Sequence, residues 1–425
     1  MNSIQTGFTG GNAFMEFSTL VREKRQMLGL SQKEFSDLLG LNESGERTVR
    51  GWELGEHSPA PSRQAQIASL PDNAPFSSDE TGEFRFIDLF AGIGGIRLGF
   101  QQVGGECVFT SEWDKFSKKT YAANFAEVPY GDITKIPASQ IPDHDVLLAG
   151  FPCQAFSRAG LRKGFQDTRG TMFFEIQRIL AEKRPAAFLL ENVKQLRGHD
   201  GGNTLSTILD ILNGNTCTDI PESVPMSADA RASLGIPLDY ETSYAVLTAT
   251  DFGVPQKRER IYIIGFSRSR FPDISMDGFF DDLPGRTEAP LLGEVLEDNR
   301  SVPENYTISD RLLQGHIRRR VEHARKGNGF GFSVFNRESP YCNTISARYY
   351  KDGSEVLIDQ TDIGRNPRKL TPRECARIQG FPEEFVVDAV SSSQAYRQFG
   401  NSVSVPVIAS LAQRMKEWAG GSLGG

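Results

Sequence analysis

Between residues 16 and 70 apolar positions recur at helical spacing, but in short pieces: Phe17, Leu20 and Val21, then Phe35, Leu38 and Leu39, then Val49 and Trp52. Gly29 and Gly40 stand where helices stop, Ser31 is placed to cap a helix over Gln32 to Leu39, and Pro59 and Pro61 interrupt the pattern. No piece is long enough to be stable alone, so the spacing predicts a small all-α bundle at 14–70 behind a loose polar tail at 1–13. The proline-, serine- and acid-rich PDNAPFSSDETGE then predicts a linker over 71–83.

From Phe84 the pattern changes. Apolar runs of strand length in FRFIDLF, ECVFTSE, DHDVLLAG, AAFLLENV, YAVLTATDFG and RIYIIGFS alternate with helical stretches such as QRILAEK. That alternation predicts an α/β fold, in which ligands bind outside the carboxyl ends of the strands. The glycine turn after Phe90 (Gly92, Gly94, Gly95), Glu112, Asp132, Cys153 and the Glu191-Asn192 pair all follow strand-like runs and are expected around one crevice.

The glycine spacing is not G-x-G-x-x-G, and no lysine follows for a triphosphate. An acid at Glu112, 24 residues past Asp88, suits paired ribose hydroxyls, and Phe90, Trp113 and Ile133 offer an apolar wall for an adenine. S-adenosylmethionine fits this pattern better than a nicotinamide.

Charge modifies the picture only locally. The net charge of −7 argues against a nucleic-acid partner, yet RLLQGHIRRRVEHARK, from Arg311 to Lys326, holds six Arg or Lys against one acid. Further basic residues follow at Arg348, Lys351, Arg365, Arg368, Lys369 and Arg373, an arrangement suited to tracking phosphates. Five dispersed cysteines without a C-x-x-C pair predict neither a disulfide framework nor a metal site. The absence of a membrane-length apolar run or a secretory start predicts a cytoplasmic protein without a membrane partner. In GFPCQAFS a lone cysteine, Cys153, follows the apolar run DVLLAG, where it serves either as packing or as a reactive thiol.

Two resemblances carry the reading further. GLSQKEFSDLLGL followed by RTVRGWELGEHSPAPS resembles the phage-repressor-like helix-turn-helix family, which implies a recognition helix near Glu46 to Glu53 with Arg47 and Arg50 available to DNA. FAGIGG, SEWD, GDIT, GFPCQAFS, GTMFFEIQRIL, ENVK, PQKRERIYIIGF, LTPRECARIQGF and QFGNSVSVP, in that order, resemble the DNA (cytosine-5) methyltransferases from about Phe84 to Val407. GNGFG, ISARYYKDGSEVLI and AYRQFGNS are similar to the Dcm-like subgroup, whose targets are of the CCWGG or CCNGG type.

The second resemblance implies a Rossmann-like sheet over 84–266, a smaller target-recognition domain over 267–364, a return to the catalytic domain over 365–418 and a flexible tail at 419–425. It implies S-adenosylmethionine held by Phe90, Gly92, Gly94, Glu112, Trp113, Asp132, Ile133 and Asn401. Cys153 is then the nucleophile, Glu191 the proton donor, Arg260 the group on the ring carbonyl, with Arg258 beside it on the carbonyl or a phosphate. The stretch AFSRAGLRKGFQDTRG becomes a loop closing over a flipped base, and Ser157, Arg348 and Lys351 become DNA contacts. Ala155 stands where many family members carry proline, which bears on the rigidity of that turn rather than on the thiol. The expected partner is duplex DNA, bound as a monomer at the methylation target, with an operator bound as a dimer through residues 14–70 if the protein also regulates transcription. An RNA cytosine-5 methyltransferase is the alternative.

Overall fold

The computed structural model describes residues 12–424 apart from 28–29, 43, 69–73, 78–80, 152–171, 217–219, 221–223, 225 and 328–330. Cys153, Ser157, the loop after Cys153 and Gly29 therefore lie outside the described residues.

The N-terminal unit contains helices α1 (Asn12–Met27), α2 (Gln32–Leu38), α3 (Gly45–Glu53) and α4 (Pro61–Ala68). The periodic positions of the sequence become its core, with Val21, Phe35, Leu39, Val49, Trp52 and Ile67 buried together. α2 begins directly after Ser31, whose carbonyl accepts from Phe35 N at 2.9 Å. A Cβ at Gly45 would lie 2.7 Å from the Cβ atoms of Ser36 and Leu41, so only glycine lets α3 cross this close to α2. The buried Glu53 carboxylate takes Arg25 and Gln32 Nε2, the latter at 2.7 Å, and ties α3 to α1 and α2.

The larger unit is built on a six-stranded sheet from β1 (Phe84–Leu89), β2 (Gly105–Ser111), β3 (Val146–Gly150), β4 (Ala187–Val193), β5 (Tyr240–Thr248) and β7 (Glu259–Ser267), in the order β2-β1-β3-β4-β7-β5. β6 (Gln256–Lys257) lies outside it. The pairs among β2, β1, β3 and β4 are parallel, which requires crossovers, supplied among others by α5 (Gly95–Gln101), α6 (Lys115–Phe125) and α7 (Met172–Lys183). β7 runs antiparallel to β4 and to β5, so the first residues of β7 lie at the same sheet edge as the last residues of β4. The central strands are nearly continuous apolar runs because helices cover both faces, as the two large clusters on either side of the sheet show.

Beyond the sheet come α8 (Asn203–Leu212), α9 (Asp310–Arg325), the two-residue strands β8 (Val334–Phe335), β9 (Cys342–Asn343), β10 (Leu357–Ile358) and β11 (Arg368–Lys369), then α10 (Pro372–Arg377), α11 (Ser392–Asn401) and α12 (Val405–Trp418). β11, β10 and β8 form a small sheet of their own, and β9 pairs in parallel with β6. The segment after Ser267, assigned from the sequence to target recognition, instead begins by returning to the sheet. Met276, Phe279 and Leu283 are buried with β1 residues and with Leu411 and Met415 of α12. Their i, i+3, i+7 spacing would suit a helix face, yet the segment runs as turns, so its packing on the sheet could not be read from the period. No helix among the described residues is long and apolar enough to cross a membrane.

Candidate active site

Four strand ends and one strand start meet at one edge of the sheet. After β1 the chain turns through Phe90 (φ 57°), Gly92 (φ 57°) and Gly94 (φ 85°) into α5. A left-handed Phe90 is costly for a side chain bearing Cβ and marks a turn imposed by its surroundings. A Cβ on Gly94 would collide with the Phe125 ring at 2.2 Å, whereas one on Gly92 would meet nothing within 4 Å. Gly92 thus leaves its backbone open to a close neighbour, and Gly94 packs against α6.

Glu112, directly after β2, is buried and accepts from Gly92 N at 2.8 Å and Asp114 N at 2.7 Å. Burial pushes its carboxyl above the usual range, while these N–H groups pull it back. A carboxylate has about four acceptor sites, so two donors leave room for a pair of hydroxyls. Beside it Trp113 is 79% exposed, an unusual position for tryptophan unless another group covers the ring.

Tyr130 pairs with β2 through Glu112 N to Tyr130 O at 3.0 Å, which brings the following turn alongside. There Asp132 Oδ1 accepts from Thr134 N at 3.1 Å and Thr134 Oγ1 at 2.8 Å, leaving the carboxylate part-exposed. Ile133 is only 3% exposed and packs in the core with Phe109, so its side chain does not supply the wall expected of it. Ile133 opens a single 3-10 turn capped by Asp132, and its side chain goes to the core. Arg178 of α7, missed in the sequence, holds this turn: it donates to Ile133 O at 2.7 Å and Ile136 O at 2.9 Å. Its partner Glu175, at 2.6 Å, is also fully buried. A charged i,i+3 pair inside the mostly apolar MFFEIQRIL was the available signal.

At the ends of β3 and β4 the register sets Gly150 opposite Glu191. Asn192 Nδ2 donates to Phe151 O at 2.9 Å and so pins the backbone two positions before Cys153. Across the antiparallel pair Val193 faces Arg260, and Arg260 Nε lies 3.1 Å from Glu191 Oε1. Burial pushes the Glu191 carboxyl up from its ordinary value, against the pull of Arg260 and Arg258. A buried acid whose hold on its proton is strengthened by burial, beside a fixed cation, is equipped to donate a proton to a ring nitrogen.

Arg258 does not join this pair. It is 2% exposed and donates to the carbonyls of Ile345 at 3.3 Å, Gly400 at 3.2 Å and Ser402. Burial, with Arg260 alongside, pushes it down to about 9, which leaves it cationic at neutral pH. The expectation of a second arginine on the reacting ring or a phosphate is corrected: its hydrogen bonds go to the protein's own backbone. Asn401, exposed at the end of α11, lies between two of those carbonyls. The next residues reach the glycine turn, since a Cβ on Gly95 would lie 2.9 Å from Val403 Cγ2 and 3.0 Å from Ser402 Oγ.

Arg348, Tyr350 and Lys351 are exposed on one tight turn, anchored by the buried Tyr349, whose hydroxyl donates to Val356 O at 2.6 Å. On α9 only His316 is buried, and most of the helix is solvated. Arg319 is paired with Asp352 at 3.0 Å and Arg320 packs over Phe332, so the basic run is partly committed to holding the helix in place. In the N-terminal unit Arg47 and Arg50 are exposed on α3.

Known proteins share this chain's sequence and fold. The description C-5 cytosine-specific DNA methylase matches residues 84–215 and 233–417, and a helix-turn-helix description matches 21–72. The chain is 51% identical over 396 residues to the Type II methyltransferase M.SsoII of Shigella sonnei, covering 93% of this chain and 96% of that one. It is 50% identical to the Type II methyltransferase M1.ScrFI of Lactococcus lactis subsp. cremoris, covering 96% and 97%. Among solved structures, the Dnmt2 methyltransferase of S. pombe shares the fold at a TM-score of 0.61 and 20% identity, over 79% of this chain and 98% of that one. The chain belongs to the C-5 cytosine-specific DNA methylases and carries a helix-turn-helix unit ahead of the catalytic part.

Proposed function

We propose that the protein methylates carbon 5 of one cytosine in a short duplex site of the CCWGG or CCNGG type, through a covalent adduct with Cys153. The observation that carries this reading is the Glu191–Arg260 pair at the carboxyl end of β4, beside the backbone that leads into GFPC. Carbon 5 of cytosine is a poor nucleophile until a thiolate adds to carbon 6. In this reading the Cys153 sulfur forms that bond, Glu191 gives its proton to ring nitrogen 3, and Arg260 steadies the ring carbonyl oxygen.

Glu112, Trp113, Asp132, Phe90, Asn401 and the open backbone at Gly92 hold S-adenosylmethionine, with Gly94 completing the turn where it packs against α6. The fit rests on a buried carboxylate with spare acceptor sites beside an uncovered indole and a glycine that nothing crowds. That cofactor, the family's methyl donor, supplies an electrophilic methyl group on a sulfonium. Once carbon 5 is methylated, loss of its proton to a base or water breaks the sulfur–carbon 6 bond and frees Cys153. The base must leave the helix stack for this, and Ser157, Arg348 and Lys351 belong to the DNA contacts. The relatives' Type II names support a role in restriction and modification, and favour DNA over RNA as substrate.

The test is a duplex carrying 5-fluorocytosine at the target, which traps the adduct because fluorine cannot leave as a proton does. Wild type forms a covalent complex, and Cys153→Ser forms none while still binding cofactor. A serine variant with full turnover sinks the assignment. Bisulfite sequencing of DNA from cells expressing the protein gives the site and the modified position.

A second role as a regulator of transcription rests on α3, which presents Arg47 and Arg50 to solvent from a bundle with its own buried core. Deleting residues 1–75 separates the roles: methylation persists and promoter binding is lost. Lost methylation would instead make the unit part of target binding.

A further inference from the structure

The segment 255–260 does two jobs at once. Its far end presents Arg260 to Glu191, and its near end is stitched to the basic turn. Gln256 and Lys257 pair with Cys342 and Asn343, Cys342 N donates to Pro255 O at 2.9 Å, and Thr344 Oγ1 donates to Lys257 O at 2.6 Å. Arg258 continues this seam by holding Ile345 O, 87 positions away, and Gly400 O and Ser402 O, 142 and 144 positions away. One buried cation therefore joins the turn that presents Arg348 to the end of α11 that carries Asn401.

The contact between those two segments is backbone against backbone. A Cβ on Gly400 would stand 2.3 Å from Ala347 N and 2.3 Å from Ser346 C, so no side chain fits between them. The turn itself is stiff: Arg348 N donates to Ser346 Oγ at 3.1 Å, and the Tyr349 hydroxyl accepts from Leu370 N at 2.8 Å. A stiff turn seated on a fixed support transmits any shift of the support to Arg348, Tyr350 and Lys351.

We propose that Arg258 is a positioning residue for site discrimination, fixing the turn at 345–351 against α11 and making no contact with the reacting base. The inference rests on the reading that this turn faces the target site. A guanidinium reads a base edge through two directed hydrogen bonds, so a displaced turn loses discrimination before it loses chemistry. Arg260 works in the opposite sense, since it is one member of the pair assigned to the ring.

Full-length protein with S-adenosylmethionine is assayed under single-turnover conditions on a duplex with the site found for wild type and on duplexes with one base pair changed. Arg258→Lys keeps the charge but not the three-way fork, and Gly400→Ala keeps Arg258 but pushes the same turn from the other side. Both are expected to lower the ratio of cognate to altered-site rates by roughly ten-fold, the size of one good base contact. The cognate rate at saturating DNA falls less than about three-fold, well short of the loss expected when a group on the reacting oxygen is removed. The proposal is overturned if, in the variants that fold, the rate falls by more than the ratio, or if neither moves while the melting temperature drops. If wild type modifies no cytosine in duplex DNA, the functional reading itself fails, and that result is distinct from either.

Discussion

Arg260 Nε lies 3.1 Å from Glu191 Oε1, bridging β4 and β7 where the two strands run antiparallel. Both side chains are largely buried, so each offsets the cost of taking the other from water. Removing Arg260 leaves a buried acid without its main source of downward pull. Arg260→Ala is expected to lower the single-turnover rate by roughly 10²–10³, the usual loss of an oxyanion-stabilising donor. It should also move the alkaline limb of the pH–rate profile to higher pH, because Glu191 then keeps its proton longer. An unmoved limb would show that Glu191 is not the titrating donor.

Glu112 makes a cofactor prediction that is independent of DNA. Its carboxylate is fixed by Gly92 N and Asp114 N. A hydrogen bond to a charged group contributes about 1.5–3 kcal/mol, so Glu112→Gln should weaken S-adenosylhomocysteine binding by roughly 10- to 100-fold in calorimetry. DNA affinity without cofactor should hold. Equal weakening of both would place Glu112 in folding rather than in binding.

Asp88 of β1 is fully buried, and neither carboxyl oxygen has a well-formed hydrogen bond among the described residues. Burial pushes it up to about 8, despite the nearby Arg97. In the unfolded chain the group titrates near ~3.9, so between the two values the folded state binds the extra proton. Its stabilisation is complete below the unfolded value and is lost as pH rises towards 8. Asp88→Asn should therefore gain melting temperature relative to wild type between pH 5 and pH 8.5, and a constant difference across that range would refute the burial argument.

Arg47 and Arg50 stand on the open side of α3 while Val49 and Trp52 face the bundle. Replacing either arginine with alanine should weaken operator binding by about 1–3 kcal/mol in a gel-shift titration, or reduce its salt dependence if the contact is to phosphate. The methylation rate on a separate target should stay within about two-fold. Unaltered operator binding in both variants would assign another face to DNA.

Much of the fold was legible because the chain's apolar runs have the length and spacing of their elements. ECVFTS, DVLLAG and AAFLLENV became β2, β3 and β4, and Val49 and Trp52 became the inner face of α3. The glycine turn and Glu112 were legible for a related reason: they stand just beyond β1 and β2, and Glu191 near the end of β4, where topology brings strand ends together. What sequence left open was which way each side chain turns. Ile133 and Trp113 were equivalent wall candidates, yet one is 3% and the other 79% exposed. Arg258 and Arg260 stand two positions apart in QKRER, yet one binds the protein's own carbonyls and the other a buried acid.

The sequence by itself determined that a small unit of short helices precedes an α/β enzyme of cytosine methylation, because local periodicity and ordered motifs are properties of the chain. Only the tertiary structure decided the partnerships. Arg178 under the Asp132 turn, Arg258 between Ile345 and Gly400, and Phe279 against the sheet all depend on segments far apart in the chain. A buried cation goes to whichever acceptors packing leaves unsatisfied, and that need appears only when the elements have met.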